Sequence, residues 1–136
     1  MAKMVLLASY LSLNSTPLSS NANKIELTVE VEEKDVTTYG SLGWKEVLGG
    51  LKSGTLAIEF KQDFAATQLD SIMWPLLGTV VPFEVRADQA TAGTSNPKYT
   101  GNVLIKAWNP LTGSVGDDAT VSVSYSTSGV VTRATS

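Results

Sequence analysis

This 136-residue chain has no cysteine and no histidine. Without cysteine, neither a disulfide nor a thiolate metal site can hold the fold together. Without histidine, the commonest general base and metal ligand is missing too. No apolar run approaches the ~18 residues that a membrane-spanning helix needs. Basic charge is also scarce: ten Lys and Arg stand against thirteen Asp and Glu, a net charge of −3, so no overall basic field draws the chain to phosphate backbones. Sequence-specific DNA binding is not expected. What the chain does have is 43 % hydrophobic residues and enough length for one domain, 1–136, around a single core.

The most informative stretch runs from Asn96 to Tyr125. Within Lys98–Trp108, Tyr99, Val103, Ile105 and Ala107 share one face of an extended chain and Lys98, Thr100, Asn102 and Lys106 share the other. Asn109-Pro110 and Thr112-Gly113 stop that strand, and a turn continues to Asp118. From Ala119 the alternation resumes, with Val121, Val123 and Tyr125 inward and Thr120, Ser122, Ser124 and Ser126 forming a hydroxyl-rich outer face.

Upstream, Met1–Leu13 begins like a secretion signal, but its apolar run is short, is broken by Ser9, Tyr10 and Ser12, and has no small-residue cleavage site close behind. A strand apolar on both faces is the better reading, with Leu6, Ala8 and Tyr10 on the face that a second subunit would cover. Asn14–Asn23 is a polar loop. Lys24–Asp35 alternates cleanly, Ile25, Leu27, Val29 and Val31 inward, and Glu26, Glu30 and Glu32 on an acidic outer face. Thr37–Gly54 has five glycines among Tyr39, Leu42, Trp44, Val47, Leu48 and Leu51, and reads as a long, apolar Gly/Trp loop. Trp44 there either anchors a partner surface or folds back with Leu48 onto its own core, through a helical turn from Trp44 to Leu48.

Thr55–Lys61 is a further strand. Asp63 then stands as the N-cap of the one helix candidate, in which Leu69, Ile72, Met73 and Leu76 fall at helical spacing until Pro75 interrupts it and Gly78 ends it. Thr79–Ala87 returns to strand, with Pro82 pointing to an edge or a bulge. Asp88–Ser95 is a loop, and the tail is expected to fray after Val130 and Val131. About seven strands and one helix, without βαβ alternation, make a mainly β fold: an antiparallel sandwich or barrel with one flanking helix.

A search for chemistry finds little. Gly50–Gly54 has a leucine where a phosphate-binding loop needs glycine before its lysine. Asp117 and Asp118 lack the spaced oxygens of a calcium loop and serve the turn instead. A serine nucleophile would need a lysine base, and no SxxK spacing occurs. No enzyme, metal or cofactor is expected.

The segment NPKYTGNVLIKAWNPLTGSVGDDATVSVSYSTSGVVTRAT resembles the carboxy-terminal signature of tail tube (major tail) proteins of long, non-contractile-tailed phages. Asp35–Thr38, Trp44–Glu46 and Gly54–Phe60 extend the resemblance over nearly the whole chain. It implies a β-sandwich or barrel-like fold with a flanking helix, six-fold rings stacked into a hollow tube, and double-stranded DNA passing without specific binding. The implied partners are further copies of the chain and other tail proteins: tail tip, terminator and tape measure. The implied place is the virion, after assembly in the bacterial host cytoplasm. On that reading Tyr39, Leu42, Trp44, Val47 and Leu48 reach the next ring, and Leu6, Ala8 and Tyr10 meet a neighbour. The lumen is lined either by Glu26, Glu30 and Glu32 or by Thr120, Ser122 and Ser124. Two other readings stand beside it: a single-ring terminator or connector, and a monomeric carbohydrate- or cell-surface-binding sandwich with Trp44, Trp74 and Trp108 as stacking residues.

Overall fold

The computed structural model describes residues 3–136 and contains eight strands, β1 (Tyr10–Leu13), β2 (Thr16–Pro17), β3 (Ala22–Asp35), β4 (Val47–Lys61), β5 (Val80–Arg86), β6 (Lys98–Leu104), β7 (Thr120–Ser126) and β8 (Thr132–Ala134), with one short helix, α1 (Leu69–Met73). They form two antiparallel sheets, ordered β2-β1-β5-β6-β8 and β3-β4-β7. The expected mainly β fold with one flanking helix is what the chain adopts. The sheets do not close into a barrel: one bridge, Val103 to Thr127, links them where the chain passes from β7 towards β8.

Each sheet turns its apolar positions inward. Leu11, Leu13, Val81, Phe83, Val85 and Val103 from the larger sheet meet Leu56, Ile58, Phe60, Val121, Val123 and Tyr125 from the smaller one. Leu69 and Met73 of α1 and Trp108 close one end of this core. Trp108 packs edge-on against Phe60 with ring centroids 6.2 Å apart, and its indole N–H donates to Asp70 Oδ1 at 3.0 Å. The buried Tyr125 hydroxyl donates to the Ala107 carbonyl at 2.9 Å; Ile105 is core as expected, but the ladder of β6 stops at Leu104, and beyond it Ala107 is exposed while Trp108 turns into the core instead. Ile105 leaves that ladder because its N–H goes to Thr79 and its carbonyl accepts from Gly78.

Several expectations are corrected. The first strand is only Tyr10–Leu13; Met1 and Ala2 lie outside the described residues, and among the described residues no strand pairs with Val5, Leu6 and Leu7, which are exposed. Hydropathy alone did not supply the missing neighbour. The Asn14–Asn23 loop contains β2, turned back onto β1 through Asn14 and Ser15, both at positive φ. β5 is an interior strand, and Pro82 is accommodated there because the β1 ladder ends at the Leu13–Phe83 pair. On that side the Pro82 carbonyl accepts from Asn14 N–H at 2.8 Å, where β1 has already turned away. Asp63 does not cap α1: its carboxylate accepts from Ala65 N–H, and the helix begins after Gln68. The tail does not fray after Val131, since β8 pairs with β6 from Thr100 to Lys98.

Candidate assembly surfaces

Thr37–Gly54 is not one long loop. Val47–Gly54 belongs to β4, which pairs with β3 from Ala22–Phe60 out to Asp35–Val47. β7 accompanies this hairpin only along Thr55–Lys61. Beyond the Val29–Gly54 pair the hairpin therefore runs on as a two-stranded arm, with no third strand beside it among the described residues. The glycines that suggested a loop permit close contact within the ladder: a Cβ on Gly49 would lie 3.0 Å from Val31 Cγ1, and one on Gly50 3.4 Å from Glu32 Cβ.

The arm is apolar and uncovered. Val29 and Val31 continue the inward face of Ile25 and Leu27 past the edge of the core, and both are about half exposed, at 54 % and 51 %. Tyr39, Leu42, Trp44, Val47, Leu48 and Leu51 are also exposed, Trp44 at 80 %. This decides against Trp44 and Leu48 folding back on the core. The helical turn expected at Trp44–Leu48 is absent, and a 3-10 turn occupies Tyr39–Ser41 instead. Hydrogen bonds hold the tip in shape. The Thr37 side chain, and after it the Thr37 N–H that donates to Asp35 Oδ1 at 2.9 Å, pull the Asp35 carboxyl below its ordinary value, and Thr37 Oγ1 accepts from Glu46 N–H at 2.8 Å. Lys34 pairs with Glu32, and Lys45 with Glu33 at 3.3 Å.

The outer face of the smaller sheet brings together the two faces that the sequence left as alternatives. Cross-strand register sets Lys24, Glu59 and Ser122 in one row, Glu26, Ala57 and Ser124 in the next, and Thr28, Thr55 and Ser126 in the third. The acidic and hydroxyl faces are thus one surface, which Glu30 and Glu32 extend onto the arm. It is less acidic than β3 alone suggests. Glu26, Glu30, Glu32 and Glu59 share it with Lys24, Lys34 and Lys61, leaving one net negative charge. Lys61 also pairs with Asp118 at 2.7 Å.

Among the described residues, both outer strands of this sheet, β3 and β7, have a free edge. They run in the same direction, since each is antiparallel to β4. Of the other site residues, Leu6 and Ala8 are not in a strand, and Tyr10 begins β1 with its ring under Arg86, the guanidinium carbon 4.0 Å from the ring centroid. Arg86 also donates to Glu84 at 2.6 Å. Trp108 is core, so it is not available for stacking on a sugar; Trp74 is exposed, on a different element from Trp44.

No protein-family model and no curated protein sequence matches the chain. Among solved structures its two-sheet fold is similar to a chain in the virion of a native gene transfer agent particle, with TM-score 0.70 and 20 % identity over 90 % of this chain and 94 % of that one. It is also similar to a chain in the tail of an empty gene transfer agent particle, computed with helical refinement and C6 symmetry. There the TM-score is 0.64 and the identity 20 %, over 82 % of this chain and 81 % of that one. At these identities the likeness is one of fold.

Proposed function

We propose that this chain is a tail tube protein, a structural subunit that assembles with copies of itself into stacked six-fold rings around a channel for double-stranded DNA. The arm carries this reading. An exposed hairpin with Val29, Val31, Leu42 and Trp44 uncovered is costly for a monomer and useful for a subunit that reaches into another. The free edges of β3 and β7 support the ring, because one copy's β7 edge can pair with the next copy's β3 edge. Such a contact is heterologous and closes by rotation, and the two joined strands run parallel. The similar fold in a C6 tail supports six as the ring number.

The outer face of Glu26, Ser122 and Ser124 then lines the channel. A wall of hydroxyls and nearly balanced charge offers phosphates no basic site to hold them. The partners on this reading are the tail tip, terminator and tape measure proteins, in a virion assembled in the host cytoplasm. No catalysis is involved. Sedimentation velocity of the purified chain over a concentration series, with and without tail-tip extract, tests the reading. Growth into large open assemblies supports it, a single discrete ring species favours a terminator or connector, and a monomer under every condition overturns it.

A further inference from the structure

The strand directions place a second apolar surface at the end of the smaller sheet farthest from the arm. β4 enters the body from the arm and leaves it at Lys61, whose partner Thr120 begins β7. Residues 62–68 therefore start, and 109–119 finish, at the pole opposite the arm. The two segments are tied together there: Gln62 N–H donates to the Ala119 carbonyl at 3.0 Å, Gln62 Nε2 to the Pro110 carbonyl at 2.8 Å, and Lys61 pairs with Asp118. This held framework presents Phe64, Leu111 and Val115 to solvent, although all three are apolar. Neither the core nor the polar outer face uses them.

Resting on the reading of the chain as a stacking tube subunit, we propose that this pole is the socket for the arm of the next copy, with Phe64, Leu111 and Val115 meeting Leu42, Trp44 and Tyr39. A contact between opposite ends of the same strands is heterologous and repeats by translation, so it extends a stack and cannot close on itself. The arm is long enough. Beyond the core its strands run about 20 Å, from Glu30 to Asp35 at ~3.3 Å per residue, and its two exposed aromatic rings alone offer about 300–500 Å², against roughly 800 Å² per partner for a standard interface.

Charge gives the socket a distinguishing property. The arm, residues 30–53, carries Glu30, Glu32, Glu33, Asp35 and Glu46 against Lys34, Lys45 and Lys52, a net −2, and segments 61–70 and 109–119 carry Asp63, Asp70, Asp117 and Asp118 against Lys61, a net −3. The contact is apolar attraction working against like charge, so added salt screens the repulsion and promotes stacking.

Because the chain has no cysteine, engineered pairs report without background. Trp44→Cys combined with Val115→Cys, and Leu42→Cys with Leu111→Cys, are assembled on tail-tip extract and oxidised. The expected result is a ladder of covalent oligomers on a non-reducing gel that collapses with reductant, while Trp44→Cys with Ser124→Cys gives none. Assembled parent protein should also rise several-fold between low and high salt. Tubes that form by electron microscopy but give no ladder from either pair, or that dissolve as salt rises, overturn the socket and leave the tube reading standing. A parent chain that never assembles overturns both.

Discussion

Glu26 and Ser124 lie in one row of the smaller sheet, separated only by Ala57. Carboxylate and hydroxyl positions on strands far apart in sequence therefore share one environment, and a lysine placed at either should have the same consequence. If the face lines a channel, Glu26→Lys with Glu30→Lys turns the net −1 of this surface into +3 per copy, since each exchange adds two charges. Assembly should survive and DNA delivery should fall, with Ser124→Lys causing a smaller loss of the same kind. Particle counts by microscopy set against infectious or transducing titre measure this. Loss of assembly by both variants would place the face at a subunit contact.

Trp108 should behave as a core residue. Trp108→Ala removes its packing on Phe60 and its bond to Asp70, and should cost about 3–5 kcal/mol in urea unfolding. Trp108→Phe keeps most of the volume but takes a donor from Asp70, at a cost of about 1–3 kcal/mol. Trp44→Ala, at an exposed position, should stay within about 0.5 kcal/mol of the parent in the unassembled chain while impairing assembly.

Gly54 marks the root of the arm. A Cβ there would lie 3.1 Å from both Thr127 Cγ2 and Oγ1 and 3.2 Å from the Thr28 carbonyl oxygen, which belongs to the ladder. Gly54→Ala must also disturb the bond that Gly54 N–H makes to Thr127 Oγ1 at 3.0 Å. A loss of about 1–3 kcal/mol is expected, read as a lower urea midpoint.

What the sequence made legible was burial. β3 over Lys24–Leu27, the inner half of β4, β5 and β7 all alternate because one face of each meets the core, and Val29 and Val31 carry that alternation on past it. The outer arm follows no such rule: Val47–Gly54 is strand by ladder hydrogen bonds alone, so Gly49 and Gly50 pointed to a loop. β8 was hidden for the same reason, as Thr132 and Arg133 are exposed on an edge strand. Val5 and Leu7 misled in the other direction, their apolar character standing in for a strand the fold does not build. The shared row of Glu26 and Ser124 depends on register across β4, which no single strand's pattern contains.

Alkaline pH should weaken the fold through Tyr125. Burial raises its hydroxyl well above the ordinary value of 10.0. Up to about pH 10 both states are protonated and the full stability is present; above it the unfolded chain ionises while the folded one does not, so stability falls by up to ~1.4 kcal/mol per pH unit. Tyr125→Phe should flatten that limb while costing about 1 kcal/mol at neutral pH for the lost bond to Ala107. Urea midpoints from pH 7 to 11 test the sign.

The most direct test is electron microscopy of the purified chain mixed with tail-tip extract, beside a variant in which residues 30–53 are replaced by a two-residue Asn-Gly turn joining the paired Val29 and Gly54. The parent is predicted to form open-ended tubes with six-fold cross-section, and the armless variant to stop at folded, unstacked subunits or rings. A parent that remains monomeric with the extract, or an armless variant that builds tubes as well as the parent, would contradict the account.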